Sequence, residues 1–290
     1  MMTLMDPRLG RLLAGGFWHE VGGMATGLQL DLFSGAGAPA PEPEETGWAP
    51  LDPARLSDSE LIAVLPRARQ AEAPGLVAET ARRALQDAIP ALEALCRRFS
   101  GFGLDREVTE QMAAIGGLAS LGGGAARDAV TRLIASGSVR GPGVRRALEV
   151  ASGMGCRLPP NQVAGFLRDD DPGVREAACR CARGGAETVA ALIDLLSDLH
   201  GSVTHSAALA LGRLGRREGS EMLRRLLRTA PSADVIWALA GIAGEDDWVL
   251  LGQAAVRMPA LAGMVLEVLG ESEEARAAAV AEGVRRRLGI

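Results

Sequence analysis

The side chains best suited to chemistry in this chain are few and scattered. Histidine occurs only as His19, His200 and His205. His200 and His205 flank an expected helix start, and a separation of five does not set two imidazoles on one helical face as i, i+4 would. Both read as turn or surface histidines. Cys179 and Cys181 lie two apart in an expected helix and so point to different sides, which suits neither a zinc pair nor an easy disulfide. With Cys96 and Cys156 they read as small, reduced core residues, in keeping with a cytoplasmic protein. Asp169-Asp170-Asp171 suggests a cation site on composition. Its place before a helical run fits an acidic first turn better, with Asp171 four residues ahead of Arg175. Gly122-Gly123-Gly124 lacks the following Lys-Ser or Lys-Thr of a phosphate loop and reads as a turn. There is no GxSxG, Walker-type or dinucleotide fingerprint. The sequence therefore predicts no catalytic group, no metal site and no cofactor, and the chain is read as not an enzyme.

Arginine is the more informative residue. All 31 positive charges are arginine, against 36 carboxylates, for a net charge of −5. Arg216, Arg217, Arg224, Arg225 and Arg228 place five positive charges in thirteen residues, opposed by Glu218 and Glu221. They form a candidate anion or nucleic-acid face. Residues 101–290 nonetheless hold 22 Arg and 23 Asp or Glu, so that stretch is neutral. Aromatic stacking partners there are scarce: Phe102, Phe166, Trp237 and Trp248. A solvated, salt-bridged face is the plainer reading, and nucleic-acid affinity is expected to be weak at most.

These residues must be positioned by something, and the composition divides the chain into four parts. Residues 1–34 are rich in Leu and Gly, with a short helix opened by Asp6-Pro7. Residues 35–56 carry five of the fifteen prolines and little apolar periodicity, as a linker would. Residues 57–103 read as a helical N-terminal cap. Ser57 to Glu60 forms a capping box, and a second helix is expected over 76–98 despite Pro90, stopping near Gly101-Phe102-Gly103. The first 25 residues hold no apolar run of signal-peptide length, and no window of 18 uncharged apolar residues occurs. A cytoplasmic chain without a membrane segment is expected.

From about residue 104 the chain repeats. One buried helical stripe recurs as Val144, Ala147, Leu148, Ala151, Ser152 and as Val174, Ala177, Ala178, Cys181, Ala182. It returns from Val203, from Val235 and, more aliphatic, from Leu261, at intervals of 30, 29, 32 and 26 residues. Glycines follow, Gly155, Gly184-Gly185, Gly215 and Gly244, which are expected to take the left-handed C-cap conformation. A second helix with larger side chains then completes most units, as with Leu223, Leu226 and Leu227. One such hairpin cannot bury both faces, so the units must stack. The fold class is all-α: a right-handed α-solenoid of helical hairpins over 104–290, with a flexible N-terminal tail.

The run Asp171-Pro172-Gly173-Val174-Arg175-Glu176-Ala177-Ala178 resembles the first helix of a HEAT repeat, and residues 202–215 resemble the next copy. The short period is similar to the bacterial HEAT-like subclass related to phycobilin lyase repeats. The resemblance implies a curved stack used chiefly for protein contacts. Second helices commonly line the concave face of such stacks, which here places Arg132, Arg168 and Arg257 on or near it. The fold also carries bilin lyases and some DNA glycosylases. A glycosylase-like site needs an acidic residue beside aromatics, and Trp248 near Asp246 and Asp247 is the nearest candidate.

Gln29-Leu30-Asp31-Leu32-Phe33 resembles the pentapeptide by which many bacterial replication and repair proteins dock on the sliding clamp. In that reading Leu32 and Phe33 enter an apolar pocket while the Gln29 amide makes directional hydrogen bonds. The competing reading is that Leu28, Leu30, Leu32 and Phe33 cover an open end of the solenoid, and the two can coexist. The expected function is a non-catalytic cytoplasmic interaction scaffold, with a protein partner on the concave face and the clamp as a second partner. The alternatives are a DNA-repair enzyme or DNA-binding factor on the same fold, and a bilin-lyase-like protein.

Overall fold

Local signals in the chain set where each helix starts and stops. A computed structural model describes residues 51–290, within the unit Pro50–Ile290; nothing before residue 51 is described. The last residues of the stretch read as a linker are ordered: Asp52 caps a 3-10 turn, Pro53–Arg55, by accepting from the Ala54 amide. Helix α1, Asp58–Val64, opens with the expected capping box, in which the Glu60 amide donates to Ser57 Oγ and the Ser57 amide to Glu60 Oε2.

The single helix expected over 76–98 is two. Helix α2, Ala73–Arg82, ends where Ala84 takes φ +54°, and α3, Ile89–Arg98, starts with Pro90 in its first turn. Proline cannot donate to the helix ladder and clashes with the preceding turn, so it opens a helix instead of extending one. Arg83 ties together the first elements of the described residues. Its guanidinium donates to Asp58, Glu79 and the carbonyls of Pro53, Ala54 and Leu56.

The rest is a run of hairpins. These are α4 with α5 (Thr109–Leu121, Gly123–Ala135), α6 with α7 (Gly143–Gly153, Pro160–Phe166) and α8 with α9 (Pro172–Cys181, Ala186–Asp194). They continue with α10 and α11 (Gly201–Arg213, Ser220–Thr229), α12 and α13 (Ala233–Ala240, Glu245–Arg257), and α14 and α15 (Ala262–Glu271, Ala275–Leu288). Helices α4, α6, α8, α10, α12 and α14 stack in sequence, while α7 packs on α9, α11 on α13 and α13 on α15. The described residues are all-helical and form an α-solenoid.

The repeating stripe is the core. Val174, Ala177, Ala178, Cys181 and Ala182 are all buried, and so are Val235, Ala238, Leu239, Ile242 and Ala243. Cys179 and Cys181 face different sides as expected, yet both are buried, because α8 lies between α6 and α10. Two apolar clusters meet at α10. Ala207, Ala210 and Leu211 belong to the cluster on the N-terminal side, and Ala208 to the one reaching Val284. The approach of α12 to α10 depends on Gly212, where a Cβ would lie 2.6 Å from the Ala238 carbonyl oxygen. Gly155 and Gly215 close their helices at φ +69°, as the sequence predicts. Gly244 does not. With φ −112° it is the N-cap of α13, and its amide donates to Asp247 Oδ2 at 3.0 Å.

Candidate functional site

Gln29, Leu30, Asp31, Leu32 and Phe33 lie outside the described residues. The arginine cluster lies within them and is divided by its partners. On α11 the leucines Leu223, Leu226 and Leu227 are buried, which turns Arg225 and Arg228 outward, both exposed. Arg224 instead forks onto Asp247 of α13, with Nε 2.7 Å from Oδ1 and Nη2 3.1 Å from Oδ2. Burial raises the Asp247 carboxyl most, but the Arg224 guanidinium and the Gly244 amide outweigh it and hold the group below the usual carboxylate range. Arg216 is paired with Glu218 at 2.6 Å. Among the described residues, Arg217, Arg225 and Arg228 make no ion pair or side-chain hydrogen bond. The five arginines therefore form a joint (Arg224), a local turn contact (Arg216) and three solvent-facing side chains (Arg217, Arg225 and Arg228), not one continuous face.

A second arginine shows the joint at fuller development. Arg175 of α8 donates in bidentate fashion to Asp198, at 2.8 and 3.1 Å, and to the carbonyls of Asp169 and Asp170, at 2.8 and 3.0 Å. The pairing expected within the helix, Asp171 with Arg175, does not form. Asp171 is the N-cap of α8 and accepts from the Gly173 amide at 2.7 Å. An N-cap carboxylate is held at the helix end, while the long guanidinium reaches the next unit, where Asp198 is already oriented by the His200 amide. Hydrogen bonding to Arg175 lowers the Asp198 carboxyl further.

Other side chains reach back to carbonyls of the preceding unit. Arg213 donates to Cys179 O, Cys181 to Leu148 O, Gln162 to Ile134 O, and Arg257 to Leu227 O and Arg228 O. From the sequence Cys181 reads only as core and Arg257 as a residue on or near the concave face. A signal was present, in that each donor follows its acceptor by between 28 and 34 residues, about one repeat.

No nucleophile emerges from the cysteines. Burial pushes the thiols of Cys96 and Cys179 up to about 12 and that of Cys181 to about 11, so they stay protonated. His200 caps α10 with Nδ1 3.3 Å from Asp198, and His205 is exposed on α10. No three of His, Cys, Asp and Glu come together in a metal-holding group among the described residues.

A cleft of about 500 Å³ opens where the turns of the last three hairpins meet, lined by Arg217, Trp237, Gly241, Trp248, Glu271 and Glu274 among others. Trp237 is 42% exposed, whereas Trp248 is buried and donates its indole N–H to Glu274 at 2.6 Å. The pairing of Trp248 with Asp247 as an acid-aromatic site is not available in this geometry. The Asp247 carboxylate is occupied by Arg224 and the Gly244 amide.

A family model described as HEAT repeats matches residues 161–243. Two crystal structures of engineered proteins from the Northeast Structural Genomics Consortium are similar to the chain. One is 19% identical with a TM-score of 0.38, covering 79% of this chain and 67% of that one. The other is 19% identical with a TM-score of 0.31, covering 81% of this chain and 97% of that one. No curated protein matches. Among the described residues no helix is long and apolar enough to cross a membrane.

Proposed function

We propose that this solenoid, whose residues 161–243 match HEAT repeats, is a non-catalytic cytoplasmic scaffold that is tethered by residues 29–33 to a bacterial sliding clamp and offers the concave side of its second helices to a protein partner. The repeat itself carries the reading. Successive hairpins use their polar groups to link neighbouring units, at Arg175 with Asp198 and at Arg224 with Asp247, instead of converging on a reacting centre. Such a frame has the large surface and the rigidity that protein recognition requires. In this division residues 1–34 are the recognition tail, 35–56 the linker that joins it to the array, 57–103 the cap and 104–290 the array itself.

The tail reading rests on the match of Gln29, Leu30, Asp31, Leu32 and Phe33 to the docking pentapeptide and on the prolines that follow, which favour an extended chain. Two apolar anchors and one amide give a small interface, so about micromolar affinity is expected, raised in effect by the several identical sites of a ring-shaped clamp. Titrating the full chain and its Leu32→Ala, Phe33→Ala double variant against the clamp tests this. The double variant should lose binding at an unchanged melting temperature. A parent that does not bind, with a double variant that melts earlier, would assign these residues to covering the solenoid instead.

A DNA-binding role is the second reading, supported by the exposed Arg217, Arg225 and Arg228; Arg216 and Arg224, the other members of the cluster, are engaged by Glu218 and Asp247. With carboxylates matching arginines in number, duplex affinity is expected near the non-specific level, Kd roughly 10⁻⁴–10⁻⁶ M at physiological salt or weaker.

A further inference from the structure

We infer that the cleft at the C-terminal turns is a receptor for an arginine side chain presented by a partner polypeptide, with Trp237 as its stacking wall and Glu271 and Glu274 as its anionic end. The inference rests on the scaffold reading and names a place and a chemistry for one contact. The cleft's volume, about 500 Å³, is ample for one long side chain and its flanking backbone. Its lining combines an aromatic surface left 42% exposed on a helix otherwise well packed, which is where binding energy tends to concentrate.

Three observations select a guanidinium over other occupants. First, the indole face of Trp237 attracts a flat cation, and a guanidinium stacks on it as well as binding electrostatically. Second, the carboxylates outnumber the cation in the lining. Glu271 and Glu274 stand against Arg217, whose charge already acts on Asp247 and helps to lower its carboxyl. Third, the two carboxylates are differently prepared. Glu274 is oriented by the Trp248 indole N–H at 2.6 Å, whereas Glu271 has no ion pair or side-chain hydrogen bond among the described residues. One acceptor is thus fixed and another is open, which matches the two-pronged fork of arginine better than the single point of lysine. Gly215 and Gly241 of the adjoining turns also line the cleft. An anionic partner would meet Glu271 and Glu274, and a purely apolar one would leave them dehydrated.

The test uses the full chain and a capped pentapeptide with one central arginine flanked by glycine and serine, followed by ¹H–¹⁵N correlation spectra of the tryptophan indoles. The chain has four tryptophans, so the Trp237 signal is assigned by its loss in Trp237→Phe. Arginine peptide should shift the Trp237 and Trp248 indoles saturably, with a sub-millimolar to millimolar Kd. The citrulline peptide should shift them at least about tenfold more weakly, and Trp237→Ala or Glu271→Gln should weaken binding by about tenfold, equivalent to about 1.4 kcal/mol. Indoles that stay unmoved by the arginine peptide, or that respond equally to citrulline, would overturn the proposal. So would retained affinity in both variants, or a response confined to signals outside the cleft. Glu271 is exposed at the last residue of α14, so Glu271→Gln should keep the fold, and a folding defect in Trp237→Ala leaves the test intact. Clamp binding by the same sample reads the tail separately, so a silent cleft with an active tail overturns this inference alone.

Discussion

The joint between α8 and α10 and the outer surface of α11 use the same residue for opposite purposes. At the joint, Arg175 has its donors engaged by Asp198 and by the carbonyls of Asp169 and Asp170, and the Arg175 and Asp198 side chains are only 14% and 7% exposed. On α11, Arg225 and Arg228 point into solvent with no ion-pair partner among the described residues. A guanidinium whose hydrogen bonds are completed inside the chain fixes the angle between units, because desolvated charge tolerates little misalignment. One whose donors face water contributes little to the frame and is available for a partner. In a chain with arginine as its only strong cation, composition cannot separate the two roles, and geometry does.

The comparison predicts a hierarchy of effects. The largest is expected where a charge is forced into the frame with no partner. Ala178 is fully buried on α8, and Ala178→Arg should lower stability by on the order of 3–5 kcal/mol, seen as a much earlier chemical unfolding midpoint. An unchanged midpoint would mean that the repeat register is wrong. Next is Gly212→Ala. The new methyl would press on the Ala238 backbone at the meeting of the two apolar clusters, so a loss of about 1–3 kcal/mol is expected, with hydrogen exchange accelerated first in α10 and α12. The smallest effect has the opposite sign. Ala84 holds φ +54° in a helix-closing turn where its neighbours of the same kind, Gly155 and Gly215, have no Cβ. Ala84→Gly should therefore stabilise the N-terminal cap by about 1 kcal/mol, and a loss of stability would show that the turn is held by something other than backbone preference.

Much of the frame was legible in the chain, because it depends on local rules. The small-residue stripes from Val174 and Val235 predicted buried faces, and the Ser57 capping box was found where it was read. The errors came where two rules competed. Apolar periodicity runs through Pro90 and suggests one helix, but proline's preference for a first turn prevails and starts a second. By residue type Gly244 suggests a helix end, but Asp247 three residues on makes it a helix start. The site was less legible for a different reason. The partners of Arg175 and Arg224 both lie 23 residues away, in the following unit, and pairing across units depends on how hairpins stack. The cleft around Trp237 joins three turns that are far apart in sequence.

The division between structural and available arginines is tested most directly by comparing unfolding midpoints of the parent, Arg175→Ala and the Arg225→Ala, Arg228→Ala double variant at neutral pH. Arg175→Ala leaves the Asp198 carboxylate without its main donor and should be destabilised by about 1.5–3 kcal/mol. The double variant should remain within about 0.5 kcal/mol of the parent. Titration supplies the sign. The Asp198 carboxyl is held below its ordinary value of 3.8 chiefly by Arg175, so its contribution to stability is full above that pH and fades as pH falls through the lowered value. The gap between parent and Arg175→Ala should accordingly be widest at neutral pH and narrow in acid. Equal midpoints for all three proteins, or a larger loss in the double variant than in Arg175→Ala, would contradict the account.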